Sequence, residues 1–129
     1  MPTNEPVRVI RIAIVDDEPS VRVSLRRLCT ALGMEATAYP SGRAFLDSLA
    51  ESEAPDCVLL DMHMPGMTGL EVQRQLATLT SRVAVIAVTA DDAAEARARW
   101  FAGGAAAHLR KPIGDFELSS AVGVATGWR

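Results

Sequence analysis

The stretch CVLLDMHMPG, residues 57–66, decides the fold of this chain. Four residues that suit a buried strand run directly into Asp61, and the turn Pro65-Gly66 follows almost at once. A continuous apolar run bounded by turn signals is typical of a strand covered on both faces, as in a parallel sheet. Asp61 would then stand at the carboxyl end of that strand, where open α/β sheets bind their ligands. Taken alone, however, the stretch favours the simpler interpretation that Asp61 ends the strand and begins a turn.

The composition is that of an ordinary globular protein. A length of 129 residues suits one domain with a hydrophobic core. The net charge of -3, without a long basic run, argues against a dedicated nucleic-acid surface. No apolar stretch approaches a membrane span, and residues 1–6 lack the hydrophobic core of an export signal. Cys29 and Cys57 have no close Cys or His partners in the sequence, so we expect reduced thiols, no zinc site and a cytoplasmic location.

Short strand patterns alternate with helical patterns along the whole chain. This alternation predicts right-handed crossovers, and hence a doubly wound α/β fold in which helices cover both faces of a five-stranded parallel sheet. We predict one domain over residues 1–129, with a core of about 9–126 and no output domain. The predicted strands are 7–15 (entered near Val9), 35–39, 57–60, 83–88 and 106–110. Three predicted helices have bounds: 19–32, Asp92 to about Phe101, and Asp115 to about Thr126. Two more are marked by a signal, one by its apolar stripe at 45–49 and one by the capping box 68–71 that opens it.

Polar residues follow four of these strands at their carboxyl ends. They are Asp16 and Asp17 after the first strand, Asp61 after the third, Thr89 after the fourth and Lys111 after the fifth. Because parallel strands end at a common edge, these groups can converge. Three carboxylates repel one another and need a cation, and hard oxygen ligands suit Mg²⁺. A hydroxyl and an ammonium opposite the metal can bind phosphoryl oxygens, which predicts a carboxylate nucleophile that forms an aspartyl phosphate.

Each of these residues also has a simpler explanation. Asp16 and Asp17 could favour the positive end of the first helix, Thr89 could cap the fourth helix, and Lys111 could be solvated. Five such residues at one edge of a sheet are much harder to explain as independent caps.

The combined pattern resembles the receiver domain of bacterial response regulators. The matching pieces are Asp16-Asp17, the block LDMHMPGMTG at 60–69, Val88-Thr89-Ala90 and Lys111-Pro112, and the spacings between them also match. The resemblance extends over about residues 9–126. The stretch PDCVLLD, residues 55–61, looks most like the nitrogen-fixation-type branch, whose members often carry a LuxR-type DNA-binding tail.

This resemblance implies a flavodoxin-like sheet of order 2-1-3-4-5 and a role in two-component or phosphorelay signalling. Asp61 would accept a phosphoryl group from a histidine kinase or a histidine phosphotransfer protein, and Thr89 and Lys111 would bind the phosphoryl oxygens. The implied magnesium ligands are Asp17 and Asp61 directly, Asp16 mainly through water, and the backbone carbonyl of His63. A cis peptide at Lys111–Pro112 is also implied.

The family further implies a switch rather than an enzyme that turns over external substrates. Its only chemistry would be its own phosphoryl transfer and slow autodephosphorylation. His63 and Asp91 flank the site, at positions that the family implies set the dephosphorylation rate. Its signal would leave through protein contacts or a missing output domain, with a possible homodimer through the fourth helix, fifth strand and fifth helix. Direct binding to nucleic acid or membrane is not expected of this domain, and the sequence does not name the kinase.

His108 departs from the family pattern. Family members usually carry Tyr or Phe three residues before the lysine, and that ring turns inward when the threonine moves toward the phosphate. An imidazole is smaller, polar and titrates near neutrality, so it predicts either a pH-dependent switch with Thr89 or a passive surface side chain. Both interpretations stay open at this point.

Two other classes of function compete with a signalling receiver. The first is a small magnesium-dependent phosphohydrolase resembling the haloacid dehalogenase group, but such enzymes need a second acid where this chain has His63. The second is a phosphate-independent binding module that merely keeps the fold. The intact set of site residues argues against that module.

Overall fold

The computed structural model describes residues 8–79, 82–90 and 94–128, which form a parallel sheet with helices on both faces. The strands follow the order β2-β1-β3-β4-β5, so the predicted fold class and strand order are confirmed. The strands are β1 (Arg11–Val15), β2 (Glu35–Tyr39), β3 (Cys57–Asp61), β4 (Ala84–Thr89) and β5 (Ala105–Arg110). The helices are α1 (Pro19–Ala31), α2 (Gly42–Glu51), α3 (Gly69–Ala77), α4 (Ala94–Ala102) and α5 (Asp115–Thr126).

Strand β3 lies in the middle of the sheet, and all five of its residues are buried. One face packs against α1 and α5 through side chains such as Leu25 and Leu118. The other face packs against α2, α3 and α4, where Phe45 and Trp100 are buried. Each fully buried aliphatic or Phe side chain contributes about 1.5–3 kcal/mol. Burial on both faces explains why the sequence of β3 is apolar without alternation.

Local sequence signals begin and end the helices as expected. Pro19 occupies the first turn of α1, where its missing N–H breaks no hydrogen bond. The Thr68 hydroxyl oxygen accepts from the N–H of Glu71 at 3.3 Å and caps α3. Gly127, with φ of 78°, ends α5 in the left-handed conformation that favours glycine.

Both thiols are buried and free. Burial raises the pKa of Cys29 to about 11 and that of Cys57 to about 12. Both groups are therefore protonated at neutral pH, and neither is a reactive thiolate.

Several predicted boundaries were wrong. Strand β1 begins at Arg11 rather than between Val7 and Val9, because pairing with β2 starts at Arg11. The apolar spacing of Val72, Leu76 and Leu79 predicts one helical face, but helix α3 ends at Ala77 and Leu79 is exposed. The other differences are one residue at strand or helix ends.

The predictions for residues 1–6, for Asp91 and for a helix start at Asp92 lie outside the described residues. Within the described ranges, no helix combines the length and the apolar character needed to cross a bilayer.

Candidate functional site

Four of the five predicted polar groups, all except the exposed Asp17, are buried or half-buried at the carboxyl edge of the sheet around β3. Asp61 is the last residue of β3 and Thr89 the last residue of β4, while Asp16 directly follows β1. All three are buried, with exposed fractions of 5%, 0% and 1% respectively. Lys111 directly follows β5 and is half-buried. Buried polar groups at one edge of a sheet are costly unless they are paired, so their contacts define the site.

Lys111 links the two buried carboxylates. Its Nζ lies 2.8 Å from Asp16 Oδ2 and 3.7 Å from Asp61 Oδ2. Of the two acids, Asp16 is the nearer partner of the ammonium. The backbone N–H of Lys111 donates to the carbonyl of Thr89 at 2.8 Å, and the Lys111–Pro112 peptide is cis. The ammonium is thereby held beside both acids by the end of β5.

A cluster of acidic oxygens lies next to this pair. One oxygen each from Asp16, Asp17 and Glu18 lies within 4.8 Å of the others, with Asp16 buried and the other two exposed. The N–H of Glu18 donates to Asp16 Oδ1 at 2.9 Å, which orients the buried carboxylate. A set of hard carboxylate oxygens without Cys or His fits Mg²⁺. Asp61 is not part of this 4.8 Å group, although its charge interacts with those of Asp16 and Asp17.

The surroundings of Asp61 disfavour the charged form of its carboxyl group. Burial raises its pKa, and repulsion from Asp16 adds to the rise. The N–H of His63 donates to Asp61 Oδ1 at 3.0 Å and opposes it, as does the charge of Lys111. Ionised Asp61 is therefore a poorly solvated carboxylate, which would be stabilised by an added cation.

Burial and charged neighbours shift the pKa of Lys111 in opposite directions. Partial burial lowers its pKa, but the hydrogen bond to Asp16 and the charge of Asp61 outweigh burial and leave the pKa above its usual value. The side chain therefore stays cationic throughout the neutral range and remains available to bind an anion.

Two glycines shape the loop behind Asp61. Gly66 has φ of 79°, a conformation that L side chains rarely adopt. At Gly69 a Cβ would lie 2.8 Å from Met62 Cα and 2.9 Å from the carbonyl oxygen of Asp61. The start of α3 consequently packs directly against the end of β3, and only glycine fits at that point.

Sequence reasoning missed three residues at or near this edge. Glu18 adds a carboxylate, and Arg22 Nη1 donates to the backbone carbonyl of Asp16 at 2.8 Å. Trp100 lies between two imidazoles, with ring centroids 6.1 Å from His63 and 5.9 Å from His108. The run of acids at 16–18 could have indicated Glu18, whereas nothing in the sequence pairs Trp100 with either histidine.

A model of the response regulator receiver domain matches residues 12–123. This chain belongs to the response regulator receiver domain family. The match runs from the second residue of β1 to Gly123 of α5 and so covers the whole site described above. Membership favours the signalling interpretation of the sequence over the phosphohydrolase interpretation.

The receiver is similar to proteins of two-component signalling. It is 36% identical over 115 residues to nodulation protein W of Bradyrhizobium diazoefficiens, covering 89% of this chain and 50% of that protein. It is 39% identical over 109 residues to response regulator MprA of Mycolicibacterium vanbaalenii, covering 84% and 47%. The chain thus spans about half the length of these two relatives.

A crystal structure of a response regulator receiver protein from Burkholderia phymatum is also similar to this receiver. The two are 43% identical with a TM-score of 0.83, and the match covers 93% of this chain and 97% of that one. The arrangement of strands and helices is therefore that of a solved receiver.

Proposed function

We propose that this receiver accepts a phosphoryl group on Asp61 from a histidine kinase or a histidine phosphotransfer protein. The observation that carries the proposal is the pairing at the end of β3, where the buried Asp61 carboxylate lies 3.7 Å from the Lys111 ammonium. A buried carboxylate beside a fixed cation is poised to become an acyl phosphate, because the same cation then faces the phosphoryl oxygens.

The transfer is a displacement at phosphorus. A carboxylate oxygen of Asp61 attacks the phosphorus, the bond between phosphorus and the donor's imidazole nitrogen breaks, and the imidazole retains the electron pair and later takes a proton. Asp61 then carries an acyl phosphate. Lys111 releases part of its contact with Asp16 to pair with the phosphoryl oxygens, and the Thr89 hydroxyl donates to another of them.

The acidic cluster is the proposed magnesium site. Asp16, Asp17, Asp61 and the carbonyl of His63 would hold the ion, with Glu18 beside them. When bound, Mg²⁺ neutralises charge on the phosphoryl group and on the carboxylates. The chain's own part is to hold the Asp61 carboxylate where it can attack phosphorus opposite the donor's imidazole nitrogen.

Replacing Asp17 with asparagine should weaken magnesium binding. Asp17 is an exposed member of the cluster, so its removal costs a ligand without opening the core. We expect the magnesium dissociation constant of Asp17→Asn to rise about tenfold or more, measured by calorimetric titration. Asp47→Asn is the matched control, since Asp47 is exposed on α2 and forms a surface ion pair with Arg43. Equal affinities in Asp17→Asn and the wild type would place the metal elsewhere.

The phosphoryl group would act on the face formed by α4, β5 and α5, with Thr89 and His108 as the switch residues. That face would bind a partner protein or a second copy of the chain, or would control an output domain of the larger protein. The domain itself would bind neither nucleic acid nor membrane and would work in the cytoplasm. Beyond its own transfer and slow autodephosphorylation it would catalyse nothing.

Mass spectrometry tests the proposal. Incubation of the receiver with acetyl phosphate and magnesium should add the mass of a single phosphoryl group, and no adduct should form when magnesium is chelated before the phosphodonor is added. A protein that gains no phosphoryl group with any small phosphodonor or histidine-phosphorylated donor would contradict the proposed function.

A further inference from the structure

Helix α4 is attached to the sheet largely through one side chain. Among the described residues of α4, Trp100 alone is buried, with an exposed fraction of 5%. Ala96 is only partly buried against the same core, and Phe101 is exposed. A helix held by one large side chain moves when the surroundings of that side chain change, because few other contacts resist the shift.

Trp100 touches the loop that follows Asp61. Its ring meets the imidazole of His63 edge to face, with centroids 6.1 Å apart and planes at 74°. This spacing and angle are those of favourable aromatic pairs. The backbone N–H of the same His63 donates to Asp61 Oδ1 at 3.0 Å. His63 is therefore the one residue between the Trp100 ring and the Asp61 carboxylate.

Trp100 also touches the last strand of the sheet. The centroid of its ring lies 5.9 Å from that of His108, with planes at 31°. His108 lies opposite Ala87 in the register of β5 with β4. The indole thus stands between the Asp61 loop on one side and β5 on the other.

A buried hydrogen bond from α3 holds the end of α4. Gln73 Nε2 donates at 3.0 Å to the backbone carbonyl of Trp100, which lies in the last turn of α4 where carbonyls lack helical partners. Gln73 is 2% exposed, and its buried Oε1 accepts no hydrogen bond from the described residues. A buried acceptor without a donor raises the free energy of this arrangement, so a shift of α4 that satisfies Oε1 would be favoured.

We propose that Trp100 is a positioning residue that transmits the state of the Asp61 loop to α4 through His63, and to β5 through His108. When the loop rearranges around a phosphoryl group on Asp61, His63 moves, the indole follows, and α4 shifts with it. This route to α4 runs through His63 and Trp100 rather than Thr89, and it meets the switch residue His108 at β5. It rests on the proposed function, because it needs a change at Asp61 to transmit.

The test is a titration with beryllofluoride and magnesium, which mimic a phosphoryl group on an aspartate, followed by amide and indole NMR. A Trp128→Phe background leaves Trp100 as the source of the single indole signal. We expect this indole signal and the α4 amides to shift with the same midpoint as the amide of Asp61.

His63→Ala is the decisive variant, since His63 is exposed and its removal leaves the core intact. At saturation the α4 shifts, measured relative to the shift of the Asp61 amide in the same variant, should fall about fivefold. Trp100→Leu should give the same loss, and Gln73→Met should alter the α4 shifts without changing those at Asp61. Phe101→Ala, an exposed neighbour on the same helix, is the control and should keep the full response.

The outcomes separate the two proposals. Full α4 shifts in both His63→Ala and Trp100→Leu would overturn the role of Trp100 while leaving the proposed function intact. If the wild type shows no shift at Asp61, the proposed function fails, and the role of Trp100 fails with it.

Discussion

Replacing Asp61 with asparagine is expected to abolish phosphorylation of the receiver. The amide has the shape of the carboxylate but is a far poorer nucleophile, so the rate of labelling by acetyl phosphate should fall by a factor on the order of 10⁴. Asp16, the other buried acid of the site, is engaged by the Lys111 ammonium at 2.8 Å and is therefore not expected to replace Asp61 as the nucleophile. Intact-protein mass spectrometry over a time course measures the loss.

The same substitution should stabilise the fold when magnesium is absent. The folded state raises the pKa of Asp61 above its ordinary value of 3.8, so the folded state holds that proton more tightly than the unfolded state does. The stabilising contribution of protonated Asp61 is therefore lost as pH rises from 3.8 through the raised pKa. At neutral pH the ionised carboxylate destabilises the folded state. We expect Asp61→Asn to gain about 1 kcal/mol in urea unfolding at pH 7.

Asp47→Asn is the control for both effects, since it removes an exposed carboxylate of α2. It should label at the rate of the wild type and unfold within about 0.5 kcal/mol of it. Labelling of Asp61→Asn at the rate of the wild type would remove Asp61 from the proposed role.

Replacing Lys111 with methionine is expected to cost about 2–3 kcal/mol of stability without magnesium, because one partner of a largely buried ionic group is lost. Asp16 is 1% exposed and would lose the ammonium that lies 2.8 Å from its carboxylate. Magnesium should restore much of this loss, since a cation in the acidic cluster replaces the missing charge. Urea unfolding with and without magnesium measures both effects.

The pH dependence gives a second signature of Lys111. Its pKa is raised in the folded state, so its contribution is fully present below the ordinary value of 10.5 and is lost as pH rises through the raised value. The alkaline loss of stability should therefore be smaller in Lys111→Met than in the wild type. Arg43→Met, which breaks only a surface ion pair on α2, should change stability by less than about 0.5 kcal/mol. Equal losses of unfolding free energy in Lys111→Met and Arg43→Met would contradict the role of Lys111 in neutralising the buried carboxylates.

Strand β3 shows why much of this fold could be predicted. Its apolar run needs cover on both faces, and parallel strands end at one edge, so the meeting of Asp16, Asp61 and Lys111 follows from pattern alone. The strand order did not follow from pattern, because alternation of strands and helices fits several orders. That order came from the family resemblance and is the observed one.

The contacts within the site could not be predicted from the sequence, because they depend on where each side chain lies in three dimensions. Lys111 is equally placed in sequence to meet either acid, and only the three-dimensional arrangement puts it nearer Asp16. Trp100 reads as one more apolar residue of an alanine-rich helix, yet it joins His63 and His108, which are 45 residues apart in the chain, through ring contacts. Such long-range contacts have no local signal.

The most direct test of the central claim is to locate the phosphoryl group. The wild-type receiver would be incubated with acetyl phosphate and magnesium, reduced with borohydride, which converts an aspartyl phosphate to homoserine, and sequenced by tandem mass spectrometry. We predict homoserine at position 61, with Asp16, Asp17 and Asp56 unchanged. Reduction at another acid, with Asp61 intact, would contradict it.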